Sequence, residues 1–467
     1  MAENQQTVAP SGSTEETVSI KQRLAWVCGV FAMIIPFNLP SGYLNFFWTD
    51  IVRIPAGIVG TFLMVSKLWD ALNDPIEGII IDRTKAKGHS RYGRWIFPAG
   101  LASNILTVLC FVTLPGEPGA LQYIYSLGVY FIFQVGYSCV EVPHIAMIST
   151  MTTDYKQRGV LTAWRETTSG IMLTIVARTF LPLTVIFGGL NLNRGYFLAA
   201  LFYAVITVPF YYICTHYTQE RYLPPPKAEG DKEPFFESLK CLKGNWPAIS
   251  LFFAHLTWGL SGAFRGAAGM YFWTYIGGDT LYTAINGTWR SFGGIISAIF
   301  VGIMMKYITS KRNLAIMSWV ICAALYVGMY FMPVNTDGAR LAFNIVSMLQ
   351  GIAGSVGRVC LFSMMPDCTE YTITKYGLRS SAFIVAIVNL AFKFGLSFGQ
   401  GLFGWLLGSM NYVPGPNQPS GVILYFRLTM NIIPAVITLL GALAFLGFTL
   451  DKASHEAALR KIAEEGK

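Results

Sequence analysis

The chain has 467 residues, of which 53% are hydrophobic and only 13% are charged, and its mean hydropathy is +0.48. Soluble proteins carry roughly a quarter charged residues, so this composition excludes an ordinary soluble enzyme. The net charge of +9 does not indicate a nucleic-acid partner, because the basic residues cluster in short connections between apolar segments, where they set membrane orientation.

Twelve apolar stretches predict an all-α membrane protein with twelve transmembrane helices, since roughly 20 helical residues cross about 30 Å of hydrocarbon. The predicted spans are 24–48, 56–81, 95–114, 121–150, 160–188, 195–215, 247–275, 281–306, 313–333, 340–366, 380–410 and 421–449. They form an N-terminal six-helix bundle at 23–215 and a C-terminal one at 247–450. Two parallel six-helix repeats of this kind would hold a substrate site between them.

The segments outside the two bundles are polar. Residues 216–246 form a predicted cytoplasmic loop with Pro224-Pro225-Pro226 and a mixed-charge run. Residues 1–22 lack the basic start and short apolar core of a signal peptide, so we expect a cytoplasmic tail there and another at 451–467. Basic links after the second, fourth and eighth spans also place both termini inside. We therefore predict an integral protein of a bacterial inner membrane.

The second span contains two acids that share one helical face. Asp70 and Asp74 are four residues apart, about one turn, and Asn73 lies beside them. A charge at bilayer depth is costly, and adjacent carboxylates repel unless a cation or proton lies between them. Because oxygen ligands suit a hard ion, the pattern predicts a coupling-ion site, with Asp70 and Asp74 as metal ligands if the ion is Na⁺. The alternative is that one Asp pairs with a nearby Lys or Arg and only holds helices together.

The fourth span adds a third acid. Ser138 and Glu141 lie three residues apart on one helical face. They could complete the oxygen shell of the ion or relay a proton. The alternative for Glu141 is a salt bridge to Arg165 in the next helix.

The second half carries bases inside its spans. Arg265, Arg358 and Lys393 lie near the middle of spans seven, ten and eleven, and Arg290 in span eight is less deep. These bases could pair with the acids of the first half across a cavity. Alternatively, Lys393 and Arg165 neutralise much of the acid and leave Arg265 and Arg358 for an anionic ligand.

Catalytic motifs are absent from the sequence. It contains no P-loop, GxSxG or HExxH pattern, and its five histidines are scattered singly. We therefore predict neither an enzyme nor a cofactor, and no metal centre other than the site for the coupling ion.

Several segments resemble, in the same order, the glycoside-pentoside-hexuronide:cation symporters, the group of the major facilitator superfamily that contains melibiose permease. They are Phe46-Phe47-Trp48, Gly60-Thr61-Phe62, Trp69-Asp70-Ala71-Leu72-Asn73-Asp74-Pro75-Ile76, Arg91-Tyr92-Gly93-Arg94, Asp367-Cys368-Thr369-Glu370-Tyr371 and the region of Lys393. The resemblance covers nearly the whole chain. It implies a major facilitator fold and cation-coupled sugar transport.

The resemblance also implies roles for single residues. It assigns Asp70, Asn73 and Asp74 to the cation site, with Ser138 and Glu141 near it. Tyr137, Arg165 and Lys393 match positions near the sugar and cation sites.

The chain departs from melibiose permease at three places. Met33-Ile34 replace a Lys-Asp pair that binds sugar hydroxyls, while Ile145 and Arg358 each replace a Trp. The pocket for a neutral galactoside is therefore not preserved.

These observations predict a Na⁺- or H⁺-coupled symporter for an anionic sugar or glycoside, such as a hexuronide or a sulfonated sugar. The candidate cation-binding residues are Asp70, Asn73, Asp74, Ser138 and Glu141. The candidate substrate-binding residues are Tyr137, Arg165, Arg265, Arg358, Asn389 and Lys393. A symporter for a neutral glycoside or a lysophospholipid is the alternative, and a solute sensor that does not transport is the alternative of another class. The expected partners are the sugar, the coupling cation and membrane lipid, without nucleic acid.

Overall fold

The computed structural model describes residues 18–84, 90–116, 119–152, 154–222, 242–307, 310–376 and 381–450. Some side chains within its helices, including that of Asp74, lie outside the described part. The predicted tail at 451–467, most of the predicted tail at 1–22 and the central part of the predicted loop at 216–246 also lie outside it.

Twelve helices occupy the described ranges, in the places of the twelve predicted spans. They are α1 (Ile20–Phe46), α2 (Ala56–Arg83), α3 (Gly93–Cys110), α4 (Ala120–Met151), α5 (Tyr155–Gly188), α6 (Leu192–Tyr217), α7 (Trp246–Tyr275), α8 (Tyr282–Tyr307), α9 (Lys311–Tyr330), α10 (Asp337–Tyr376), α11 (Ser381–Ser409) and α12 (Ser420–Gly447). A π-helical segment, Phe47–Ile51, extends α1, and another interrupts α12. The predicted all-α membrane fold is confirmed.

Length and apolar composition qualify eight of these helices as membrane spans within the described residues. The helix α2 is not among the eight, since polar and charged side chains lower its hydropathy. Its charges include Lys67 and Asp70 in the middle of the helix and Glu77 two turns after Asp70. A membrane helix tolerates such residues only where they face a cavity or a partner.

Short polar side chains define where several helices begin. Ser19, Asn191, Asn245 and Ser310 each accept a hydrogen bond from a backbone N–H in the first turn of α1, α6, α7 and α9. These caps satisfy donors that have no partner within the helix. The start of α7 after the central loop is therefore encoded locally, by Asn245.

The helix α11 packs closely against one helix of each half. Gly395 and Gly399 lie against the α7 backbone, as the spacing of these small residues predicts. Gly404, on another face of α11, approaches Gly60 of α2 so closely that a Cβ built on it would lie 2.5 Å from the Gly60 Cα. The two six-helix halves are therefore in contact along α2 and α11.

The halves also meet through α5 with α8 and through α1 with α7. We call the end of the bundle where α1 joins α2 the α1–α2 end, and the opposite end the terminal end. At the α1–α2 end, Asp50 of the first half accepts hydrogen bonds from the hydroxyls of Tyr275 and Tyr412 of the second half, the latter at 2.6 Å. Tyr271 is also 2.5 Å from the Thr49 hydroxyl. These contacts join the two halves at the α1–α2 end.

Candidate functional site

A cluster of ionic and polar side chains lies where α2, α4 and α11 meet. One carboxylate oxygen of Asp70 accepts a hydrogen bond from the Ser138 hydroxyl at 2.8 Å. The other accepts one from the Lys393 ammonium at 3.0 Å. The Asp70 and Lys393 side chains are only 14% and 25% exposed, so this ion pair is largely shielded from solvent. It joins the two halves of the protein.

Glu141 and Arg165 form a second ion pair within the first half. The guanidinium Nη2 of Arg165 lies 3.4 Å from a carboxylate oxygen of Glu141. This is the salt bridge that the sequence offered as the alternative role for Glu141. Both side chains remain partly exposed, at 19% for Arg165 and 30% for Glu141. The pair is therefore accessible to an ion or a polar solute.

Asn73 contacts an acid that the sequence analysis overlooked. Its amide donates a hydrogen bond to the carboxylate of Glu77, and both side chains are buried. Glu77 follows Asn73 by four residues, so their shared helical face was a signal available in the sequence. The side chain of Asp74 lies outside the described residues. Asp70, Asn73, Ser138 and Glu77 each carry an oxygen of the kind that a hard cation requires. Among the described residues, no group of three or more His, Cys, Asp or Glu side chains comes together.

Lys67 is a second residue that the sequence analysis overlooked. Its side chain is 5% exposed, and its ammonium lies 5.3 Å from the centre of the Phe37 ring. Phe37 in turn stacks on Tyr137, with ring centres 4.8 Å apart. Lys67 precedes Asp70 by three residues on the same helical face, which the sequence could have revealed. This stack places the predicted substrate residue Tyr137 beside the polar cluster.

The substrate candidates Arg358 and Asn389 lie on α10 and α11 of the second half. The Arg358 guanidinium lies 5.8 Å from the centre of the Trp258 ring, and Trp258 stacks on Phe392 of α11. Asp367, the acid nearest to Arg358 along α10, forms an ion pair with Lys311 at 2.7 Å. Both Arg358 and Asn389 are exposed.

Arg265 occupies a different environment. It is 4% exposed, and its Nη1 donates a hydrogen bond to the Met430 carbonyl at 3.1 Å. Its guanidinium carbon lies 5.0 Å from the centre of the Tyr326 ring. The second terminal nitrogen, Nη2, is buried and has no hydrogen-bond partner among the described residues.

Arg265 lines a cavity of about 150 Å³ to which both halves contribute. Arg290 of α8 lines it as well, whereas Lys393 and Arg358 are not among its described lining residues. The walls come from α1 and α5 of the first half and from α7, α8 and α12 of the second. The lining residues that bear on its chemistry are Asn38, Tyr43, Arg265, Trp273, Asn286 and Arg290. The predicted interior bases are therefore divided among three environments.

Sequence comparison identifies relatives of this chain. The family described as MFS/sugar transport protein matches residues 25–452. The isoprimeverose transporter of Lactiplantibacillus pentosus is 28% identical, over 92% of this chain and 89% of its own. The inner membrane symporter YicJ of Escherichia coli (strain K12) is also 28% identical, over 92% and 91%. A proposed sulfoquinovose importer of the same organism is 22% identical, over 92% and 90%.

Structural comparison agrees with the fold. A bacterial homolog of the human lysosomal transporter Spinster superposes with a TM-score of 0.66 at 13% sequence identity. The match covers 94% of this chain and 100% of that one. At this identity the similarity establishes the arrangement of the helices.

Proposed function

Because the chain belongs to the MFS/sugar transport protein family, we propose that it is a cation-coupled sugar symporter that works by alternating access. The chain is an integral membrane transporter related to symporters. The observation that carries the proposal is the Asp70–Lys393 ion pair, which joins the two halves beside Ser138. Any rocking of one half against the other changes the surroundings of this carboxylate.

The cation would bind at Asp70, with Asn73, Asp74, Ser138 and Glu141 as further candidate ligands. A cation that takes up Asp70 competes with the Lys393 ammonium for the same carboxylate. Release of Lys393 would then alter the charge that the solute meets. This competition gives a physical route by which cation binding and sugar binding affect each other.

The solute class that we propose is an anionic sugar or glycoside. Lys393 and Arg165 have carboxylate partners, whereas Arg265 and Arg290 line a cavity that has no acid among its described lining residues. The name of the proposed sulfoquinovose importer also supports an anionic solute. Tyr137, Arg358 and Asn389 remain candidate contacts of the same solute.

We further propose that the terminal end faces the cytoplasm of a bacterium. The support is the basic character of the links after α2, α4 and α8, since such links stay on the cytoplasmic side. The contacts around Asp50 then join the halves on the periplasmic side. Reporter fusions after α6 and α7 would test this orientation. A reporter that fluoresces only in the cytoplasm should be bright after α6 and dark after α7.

The test is uptake into proteoliposomes with Na⁺ and proton gradients imposed in turn. The probes are methyl β-glucuronide, sulfoquinovose and neutral methyl β-glucoside. We expect gradient-driven accumulation of an anionic probe with one of the two ions. Accumulation of only the neutral glucoside would indicate a symporter for neutral glycosides. Accumulation of lysophosphatidylcholine alone would indicate a lipid symporter, and binding without any transport would indicate a sensor.

A further inference from the structure

The cavity between the halves has two charged residues in its described lining, Arg265 and Arg290, and both are basic. We propose that these two arginines form the subsite for the anionic group of the solute, and that Arg358 is not its principal ligand. This inference rests on the proposed transport of an anionic sugar and assigns the charged group a place within it.

Two of the residues that line the cavity carry buried donors that lack acceptors among the described residues. Nη2 of Arg265 and Nε1 of Trp273 are both buried without a hydrogen-bond partner among the described residues. Leaving a buried donor unpaired is costly, more so on a charged group. A carboxylate or sulfonate has acceptor oxygens that can satisfy such donors, and it matches the planar guanidinium geometry.

The charge of the cavity points to the same ligand. Arg290 makes no hydrogen bond or ion pair with the described residues, and no acid is among the described residues that line the cavity. Arg265 is buried whereas Arg290 is exposed, so the repulsion between the two charges falls mainly on the poorly solvated Arg265 guanidinium, and an anion beside both removes it. Lys393 differs in this respect, because Asp70 already neutralises it.

The shape of the cavity sets the size of the group it receives. A Cβ built on Gly42 or Gly266 meets nothing within 4 Å, so these glycines leave the space open. The volume of about 150 Å³ is below the roughly 300 Å³ at which pockets for whole small molecules begin. The cavity therefore suits a charged substituent with part of a sugar ring, for which Tyr43 and Trp273 offer aromatic faces.

Arg358 lies beside a part of α7 that precedes Arg265 along the helix. It lies over Trp258, which precedes Arg265 by seven residues on α7, or roughly 10 Å of helical rise. A single carboxylate or sulfonate is much smaller than this separation. Arg358 is also not among the described residues that line the cavity of Arg265.

The experiment measures binding to the purified full-length protein by calorimetry, with methyl β-glucuronide and sulfoquinovose as anionic probes and methyl β-glucoside as the neutral one. We expect Arg290→Gln and Arg265→Ala each to lower the affinity for the anionic probes by at least about tenfold. The affinity for the glucoside should fall by less than about twofold. Gly266→Val should weaken all of the probes that bind, since it fills the cavity without changing its charge. Arg312→Gln, which removes a charge at the start of α9, is the control for general loss of positive charge.

Arg265→Ala also removes the contact with Met430 and could unfold the protein, so Arg290→Gln carries the test if it does. Unchanged glucuronide and sulfoquinovose affinity in both Arg290→Gln and Gly266→Val would overturn the subsite. If only Arg358→Ala abolished binding of the anionic probes, the proposed anionic transport would stand and only the subsite would fail. If the wild-type protein bound no anionic probe, or bound the glucoside equally well, both proposals would fail.

Discussion

The carboxylate of Asp70 and the ammonium of Lys393 meet at 3.0 Å, although 323 residues separate them in the chain. One residue belongs to α2 and the other to α11, so the contact joins the two six-helix halves. The Ser138 hydroxyl donates a hydrogen bond to the other oxygen of the same carboxylate. Asp70 is thus the point at which the cation site, the interface between the halves and the nearest base come together.

Asp70→Asn should abolish cation-driven accumulation of methyl β-glucuronide in proteoliposomes. The substitution keeps the size of the side chain but removes the charge that a hard cation requires. Equilibrium exchange of the sugar without a gradient should survive. Asp337→Asn, which alters an exposed ion pair with Arg340, is the control and should accumulate sugar normally. Concentrative uptake by Asp70→Asn at the wild-type level would disprove the assigned ion site, and Asp74→Asn offers the same test on the adjacent acid.

Lys393→Ala should weaken the dependence of sugar affinity on the cation. In the wild type, the cation and Lys393 compete for Asp70, so adding the cation changes the position of the ammonium. The measurement is the ratio of sugar Kd values with and without the coupling ion. Lys393→Arg should restore part of the effect, because it keeps the charge. An unchanged ratio in Lys393→Ala would leave this residue with a structural role only.

Tyr412→Phe should favour opening of the α1–α2 end. The substitution removes a hydrogen bond to the Asp50 carboxylate that links the halves, and a bond to a charged group shifts an equilibrium by about tenfold. The measurement is the rate at which a membrane-impermeant maleimide labels Gly287→Cys from that side, with native cysteines replaced by serine. Tyr330→Phe is the matched control, because Tyr330 is the last residue of α9 and also lies at the α1–α2 end. Equal labelling rates in the two variants would show that Asp50 does not hold this end closed.

Glu220→Gln should destabilise the first half without changing solute specificity. Its buried carboxylate follows α6 and accepts hydrogen bonds from the Ser90 hydroxyl and from backbone N–H groups before and at the start of α3. Replacing the carboxylate by an amide should cost about 1–3 kcal/mol. Thermal unfolding in detergent would measure it, together with the ratio of glucuronide to glucoside affinity. A wild-type melting temperature would contradict the anchoring role.

The helices could be read from the sequence because their cause is local. A run of about 20 apolar residues has few alternatives to a membrane helix, since lipid offers no hydrogen-bond partners for the backbone. Caps such as Asn245 act within three residues of their partners. The small-residue face of Gly395 and Gly399 is likewise visible as a spacing on one helix. The fold, the transporter family and the candidate acids of α2 and α4 therefore followed from the sequence alone.

The partners of the charged residues were decided by the tertiary structure. The sequence left both roles open for Asp70 and Glu141, and only packing brought Lys393 to one and Arg165 to the other. It also grouped Arg265 with Arg358, whereas the fold places Arg265 at a cavity with Arg290. Pairing depends on which helix faces are turned toward each other, and that is set by contacts between residues hundreds of positions apart. Local hydrophobicity carries no record of those contacts, so the sequence determined which charges lie in the membrane, and the three-dimensional arrangement determined what each of them faces.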